Sequence, residues 1–439
     1  MNVLKFGGTS VATSSAMRQV KEIIDKTKGS VIVLSACGGV TNLLLEAVKR
    51  AAIGKTKESV QIISEIEQRH LGLCRDLINE GKTRRDALSK VKTLCVELRV
   101  FCEGVALLGE CTPRSIDTAG SYGERLSTLI FWLFCRAEGM STILFDAREI
   151  MRTDSNFTSA KINFNELQHL AFKKLTPLFT NNDIVITQGF IGADSHGITT
   201  TLGRGGSDLS AALIGAAISA DEILIYTDVS GIASADPRII PNANPIPEMS
   251  FAEARELSFY GAKVLHPETI LPAVERGIPV RVLNTFAPDD AGTVIVSKVS
   301  KDHGLCAVTL KRNCICFAVQ GFTNKEAIAF FGNFANNSYE IYLTCIGESK
   351  CFIVIDLPYD TSELNRLRNI NLNTTIQEVT LLCGVGIGLN GHISAKFSEA
   401  LSDFSPIAIV YGASEVGIIA LISPQFADDA LSAVHEIIE

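Results

Sequence analysis

The chain has 439 residues, 46% of them hydrophobic and 20% charged, with a net charge of −8. That is the balance of a globular protein with ample core. No apolar run reaches the roughly 18 residues that span a bilayer, and an acidic excess without basic runs speaks against nucleic acid as a partner. The opening MNVLKFGGTS carries no basic-then-apolar leader, and the 12 cysteines follow no framework spacing, so a cytoplasmic protein with reduced thiols is expected. The 7 histidines include no HExxH and complete no Cys/His set of zinc spacing, so no protein-borne metal site is expected.

In chain order, Val3–Phe6 reads as a short apolar strand that runs into Gly7-Gly8-Thr9-Ser10 and a helix from about Ser14. Lys5 lies inside that strand, where a lysine is costly unless it meets a counter-charge; beside a glycine turn it points to phosphate. Val31–Leu34 is the next strand, ending in Ser35–Asn42 with Gly38-Gly39, and helix pattern resumes at Leu43. From about 56 to 118 the pattern is helical and reads as an insertion. Asp117–Arg125 then opens an apolar helix, Leu126–Cys135, with Glu124 in its first turn, where it would complement the helix dipole. Strand Thr142–Phe145, a helix near Asn165–Leu175, and strand Ile184–Thr187 leading to Gln188-Gly189-Phe190-Ile191-Gly192 complete an alternation that implies a mostly parallel sheet covered on both faces.

The most informative stretch is Thr199–Arg238. Gly203-Arg204-Gly205-Gly206-Ser207-Asp208 precedes a helix whose Leu209, Ala212, Leu213, Ala216 and Ala217 share one face. A glycine turn at a helix start lets an anion approach free backbone N–H groups. Strand Ile223–Tyr226 ends in Thr227-Asp228, and Asp236-Pro237-Arg238 follows a further loop. Open α/β sheets bind ligands outside the carboxyl ends of their strands, where these residues would stand. GxxxxGK[ST] does not occur, which excludes a Walker-type loop.

Ser250-Phe251-Ala252-Glu253 has capping-box spacing. Gly261–Pro267 and strand Pro279–Leu283 follow, and Asn284–Gly304, rich in Pro, Asp, Gly and Lys, reads as a domain boundary. Beyond it Ile315–Ile355 aligns without gaps on Leu382–Ile422, with Cys316 on Cys383, Gly321 on Gly388, Phe330 on Phe397 and Glu348 on Glu415. Two copies of one small unit are implied. Gly386-x-Gly388-x-x-Gly391 fits GxGxxG, but too little chain follows to complete a dinucleotide domain.

Together KFGGTS (Lys5–Ser10), QGFIG (Gln188–Gly192), TTTLGRGGSD (Thr199–Asp208), TDVSGI (Thr227–Ile232), DPR (Asp236–Arg238) and GAKVLHP (Gly261–Pro267) resemble the aspartokinases of the amino-acid kinase family, over nearly the whole chain. The resemblance implies an α/β amino-acid kinase fold over residues 1–299, then two ferredoxin-like ACT domains at 305–378 and 379–439. It implies transfer of a phosphoryl group from ATP to the side-chain carboxylate of L-aspartate. That is the first step of lysine, threonine, methionine and diaminopimelate biosynthesis, with lysine feedback in the monofunctional type. It carries roles onto matching residues. Lys5 neutralises the transferring group, with Asp208 orienting either Lys5 or the substrate amine. Thr41, Glu124, Phe190, Arg204 and Ser207 hold aspartate, Glu124 at the ammonium and Arg204 at the α-carboxylate. Gly7, Gly8, Thr227, Asp228, Ala233, Arg238, Lys263 and Val264 line the nucleotide, with Mg²⁺ carried on the ATP phosphates. Gly321 and Glu348 take the effector, and the ACT domains pair two or more chains. Departures stand at Ala233, where a nucleotide-contacting tyrosine is usual, and at Cys345-Ile346-Gly347, where hydroxyl side chains are usual; the first implies weaker ATP binding or another side chain in the gap, the second weaker lysine inhibition or a different effector. A glutamate or acetylglutamate kinase is disfavoured by the length and the doubled C-terminal unit, and a non-catalytic sensor by the intact Lys5, Glu124, Arg204 and Asp208.

Overall fold

A computed structural model describes residues 1–27, 29–179, 183–262, 265–320, 324–335, 339–347, 350–356 and 374–438. The chain divides into two units. The first comprises Met1–Ile232, Pro247–Met249 and Leu265–Ser297; the second comprises Ala233–Ile246, Ser250–Val264 and Lys298–Glu439.

The first unit is built on strands β1 (Asn2–Phe6), β2 (Val31–Leu34), β3 (Thr142–Phe145), β4 (Ile184–Gln188), β7 (Glu222–Thr227), β8 (Glu248–Ser250), β9 (Val280–Asn284) and β10 (Thr293–Val296), in the order β3-β4-β2-β1-β7-β9-β10-β8. All neighbours from β3 to β9 are parallel, and β10 runs antiparallel to β9. A short hairpin, β5 (Ile191–Ala193) with β6 (Thr199–Thr201), stands apart. β10 lies inside Asn284–Gly304, the stretch that reads as a domain boundary: Thr293-Val294-Ile295-Val296 is a β-branched run among breakers.

Both faces of the sheet are covered, because alternate residues of each strand point to opposite sides and both sets are buried. Leu4, Phe6, Ile32 and Leu34 join one core with the helices Ser14–Asp25, Val40–Ala52 and Tyr122–Ala137. Val3, Val31 and Val33, on the other face, are equally inaccessible. That face receives the helix Gly206–Ile218, whose Gly215 leaves room for Ile223, the register partner of Val3. Lys5 shares the alternation of Val3 and therefore points to the side of this helix. The expected insertion is three helices, Thr56–Leu77, Lys82–Leu108 and Pro113–Gly120, and its Ile63, Ile66, Val91 and Leu98 enter the same core as Leu4.

The second unit holds one antiparallel sheet, in the order β12-β13-β11-β14-β16-β15, from β11 (Gly304–Gln320), β12 (Ile341–Ile346), β13 (Lys350–Asp356), β14 (Thr374–Ile387), β15 (Ala408–Tyr411) and β16 (Gly417–Ile422). Its repeat is visible in the element starts. Helices begin at Asn324 and Gly391, outer strands at Ile341 and Ala408, and the next strands at Lys350 and Gly417, each pair at the spacing the alignment requires. The cores divide differently from the contiguous 305–378 and 379–439. Residues 304–311 of β11 pair with 381–387, and Leu305 and Val308 pack with Phe397, Ile418 and Ile422. After an irregularity at Arg312-Asn313, where Asn313 has φ 59°, residues 314–320 pair with β13, and Ile315, Phe317 and Val319 pack with Phe334, Ile353 and Ile355. The first copy is thus inserted within the second. Gly386 and Gly388 end an antiparallel strand, which disposes of the GxGxxG match.

Candidate active site

At the carboxyl ends of β1, β2 and β4 and the start of helix Gly206–Ile218 lies a cavity of ≈ 320 Å³. Lys5, Gly8, Ser35–Gly39, Thr41, Glu124, Phe190 and Gly203 line it together with Gly205–Asp208. Two glycine turns are laced together at its floor. The Gly7 N–H donates to the Tyr226 carbonyl at 3.1 Å and the Gly38 N–H to the Gly8 carbonyl at 2.9 Å. A Cβ on Gly8 would stand 3.0 Å from the Ala36 carbonyl oxygen, so only glycine permits this approach. Gly39 precedes helix Val40–Ala52 with φ 83°, and Thr41 is in that helix's first turn.

Lys5 Nζ stands 2.6 Å from Asp208 Oδ1, and both side chains are largely buried. Asp208 is in the first turn of its helix, where backbone N–H groups are unpaired and a negative charge is favoured. The pair is a cation held in place at the mouth of an anion-receptive helix end.

Glu124 is 3% exposed. Its Oε1 accepts the Ala36 N–H at 3.1 Å, and its Oε2 has no partner among the described residues. Burial pushes its carboxyl up to about 8 against the relief of that one hydrogen bond. Gly123 makes the position possible, since a Cβ there would fall 2.6 Å from that of Ala36. Phe190 has φ 66°; its N–H donates to Ser210 Oγ and its carbonyl accepts the Leu202 N–H, each at 2.9 Å. A Cβ on Gly206 would meet its ring at 2.7 Å. The neighbouring Cys37 thiol is pushed up to about 12 by burial and is no nucleophile.

The other expected residues divide. Ser207 is in the cavity wall, but Arg204 is exposed, absent from the wall, and makes no ion pair or hydrogen bond among the described residues. Thr227 ends β7 and Asp228 follows it, with Thr227 Oγ1 donating to Asp228 Oδ1 at 3.1 Å. Ala233 and Arg238 belong to the second unit, the former bridged to Pro245, the latter exposed and paired with Asp236 at 2.6 Å. Lys263, Val264, Gly321 and Glu348 lie outside the described residues.

Two residues escaped the sequence reading. Asp117 is buried and accepts the Thr158 N–H, the Thr201 N–H and the Thr201 hydroxyl at 2.7–3.0 Å, which ties β6 to helix Pro113–Gly120. Arg69, from the insertion, donates to the Gly38 carbonyl at 2.8 Å and the Ala12 carbonyl at 3.4 Å, spanning both glycine turns. Neither has a local signal, because their partners lie far off in sequence.

Residues 1–284 match the model of the amino acid kinase family. Lysine-sensitive aspartokinase 3 of Escherichia coli is 34% identical over 99% of this chain and 98% of its own. Aspartokinase 1 of Arabidopsis thaliana chloroplasts is 32% identical over 99% and 79%. Among solved structures, E. coli aspartokinase III in complex with lysine and aspartate superposes with a TM-score of 0.86 at 31% identity, covering 100% of this chain and 99% of that one. The complex of the same enzyme with aspartate and ADP gives 0.81 at 31%, with 99% of each chain covered.

Proposed function

This chain belongs to the amino acid kinase family and, within it, to the aspartokinases, and we propose that its cavity is where the side-chain carboxylate of L-aspartate takes the terminal phosphoryl group of ATP. The observation that carries the assignment is a pair of complementary sites in one cavity, the Lys5–Asp208 ion pair and the unpaired Oε2 of buried Glu124. A buried carboxyl oxygen without a hydrogen-bond partner is costly, and a substrate ammonium relieves it once the group gives up its proton.

The nucleophile is ionised at neutral pH and needs no general base, so the site supplies alignment and positive charge. Lys5, oriented by Asp208, neutralises charge on the transferring group. Gly8, in the cavity wall, brings its backbone to the phosphates, while Gly7, whose N–H is held by the Tyr226 carbonyl, shapes the turn and does not offer that group. Thr227, Asp228, Ala233, Arg238, Lys263 and Val264 stand along the nucleotide. Glu124 holds the ammonium, while Thr41, Phe190 and Ser207 shape the aspartate pocket. Arg204, unpaired and flanked by Gly203 and Gly205 at φ 79° and 68°, turns onto the α-carboxylate, for which its forked guanidinium is suited. Among the described residues two carboxylates line the cavity, and one is engaged by Lys5. Mg²⁺ therefore rides mainly on the ATP phosphates, with Asp208 the side chain nearest in kind, and supplies charge neutralisation there.

The second unit is the regulatory part, two ACT domains with the first nested in the second. Lysine is its effector, taken by the first copy around Gly321 and Glu348, and the sheet edges β12 and β15 join two copies of the chain into a homodimer in the cytoplasm. The lysine-bound relative and the open edges support this reading; no helix among the described residues is long and apolar enough to cross a membrane. ATP consumption measured with aspartate, glutamate and acetylglutamate in parallel tests the assignment: turnover with aspartate alone is expected, and turnover with either rival or with none refutes it.

A further inference from the structure

Three donors of different chemistry converge in the second unit: the Glu253 carboxylate, the His303 imidazole and the Cys306 thiol. Their ligand atoms all lie within 4.8 Å of one another. Glu253 is fully buried in the first turn of helix Phe251–Phe259. Its Oε2 accepts the Ser250 N–H and Oγ–H, each at 2.8 Å, and so completes the capping box. That leaves Oε1 for the other two: it stands 2.6 Å from His303 Nε2 and 3.4 Å from Cys306 Sγ. Cys306 lies within β11 and also points to the Val385 carbonyl of β14.

We propose that this cluster is a zinc site of three protein ligands and one water. Carboxylate oxygen, imidazole nitrogen and thiolate sulfur form a donor set for Zn²⁺ and not for Mg²⁺ or Ca²⁺, which take oxygen throughout. Around a tetrahedral ion with bonds of about 2.0–2.3 Å, neighbouring ligand atoms stand about 3.3–3.7 Å apart. The Oε1–Sγ separation already meets that. The Nε2–Oε1 separation is a hydrogen bond, and it opens by under about 1 Å when the ion replaces the shared proton. Glu253 is held from behind by Ser250, as ligating carboxylates are by outer partners. The His303 side chain is 30% exposed and gives the ion a way in and a place for the water. No spacing motif betrays the site, because its ligands come from a helix cap and from the entry to a strand some 50 residues later.

Bound zinc would tie helix Phe251–Phe259 to β11. The test uses the full-length chain stripped with a chelator, titrated with Zn²⁺ alone by calorimetry and with Co²⁺ alone by absorption. One equivalent of Zn²⁺ is expected, micromolar or tighter, together with a thiolate-to-cobalt charge-transfer band and a rise in the melting midpoint with Zn²⁺ concentration. Cys306→Ser and His303→Gln both keep hydrogen-bonding capacity, so a cluster that is only a hydrogen-bond network tolerates them. As zinc ligands, each should lose at least about tenfold in affinity, and Cys306→Ser should lose the cobalt band. No saturable binding, or binding equal in wild type and both variants, overturns the proposal. Should Cys306→Ser fail to fold, the part-exposed His303→Gln decides it, read beside the wild-type cobalt band.

Discussion

Each unit is built on one large sheet, yet the two sheets offer different things to a ligand. Parallel strands leave by crossovers, so the loops after β1, β2 and β4 collect at one end of the sheet and enclose ≈ 320 Å³. The antiparallel sheet of the second unit pairs its long strands β11 and β14 almost throughout. Among its described residues, a recess at Arg312–Cys314 holds ≈ 100 Å³. What it exposes are edges, with Ile346 57% and Tyr411 47% exposed on β12 and β15. One unit keeps buried charge at strand ends, and the other presents repeated sheet edges, the surface proposed above for a second copy.

The sharpest way to break this contrast is at Lys5. If chemistry depends on charge held at the β1 end, Lys5→Ala should lower kcat by about 100- to 1000-fold, the loss expected for one transition-state donor, with little change in KM for aspartate. A folded variant with near wild-type kcat removes Lys5 from the reaction and leaves the ion pair with Asp208 structural.

Glu124 comes next. Glu124→Gln should cost about 1.5–3 kcal/mol in kcat/KM for aspartate, the value of a hydrogen bond to a charged group, while ADP binding persists. The pH dependence gives a second readout. With its carboxyl at about 8 in the free enzyme, Glu124 is mostly protonated at neutral pH and must lose that proton to meet an ammonium. Aspartate affinity should therefore weaken up to tenfold per pH unit below about 8 and level off above it. In Glu124→Gln the profile should be flat over the same range. A sloping profile in the variant assigns the titration to another group.

The regulatory unit is tested at Glu348. If the first repeat takes lysine through that acid, Glu348→Ala should raise the lysine concentration for half-inhibition about 10- to 100-fold. Threonine and methionine serve as controls. Unchanged lysine inhibition moves the effector site elsewhere, and no response to any of the three reduces the repeat to a dimer surface.

How much of this the chain reveals in advance depends on the range of the interaction. The parallel strands, their glycine turns, the capping box at Ser250 and the repeat are local patterns, and they read directly. Lys5 and Asp208, proposed here for catalysis, can be picked out because each lies beside a glycine turn. What stays hidden is long-range. Nothing in the run Gly304–Gln320 says that its first half serves the second core; only the pairing of 304–311 with 381–387 does. Asp117 looks like a helix residue until Thr201 closes on it. Arg69 looks like one more charge on a solvated helix until it reaches Gly38. Arg204 is a different case: the resemblance gives it the α-carboxylate, and the structure shows it exposed and outside the cavity wall.

The smallest expected effect stands at Ala233, where the chain passes from the first unit to the second. Ala233 is half-buried and bridged to Pro245, and the next residue, Ser234, is anchored by its hydroxyl to His435 at 2.8 Å. The backbone around it is therefore fixed, and a larger side chain must project from a defined place. If the base passes this position, as the resemblance to aspartokinases implies, this chain offers it a methyl group in place of the usual tyrosine. Ala233→Tyr should add one aromatic contact, about 0.5–1.5 kcal/mol, and so tighten ADP about 2- to 10-fold by calorimetry. Aspartate KM should stay within twofold, because the substrate pocket belongs wholly to the first unit. Weaker ADP binding would mean that another side chain already fills the space. Unchanged binding would mean that the base does not pass Ala233.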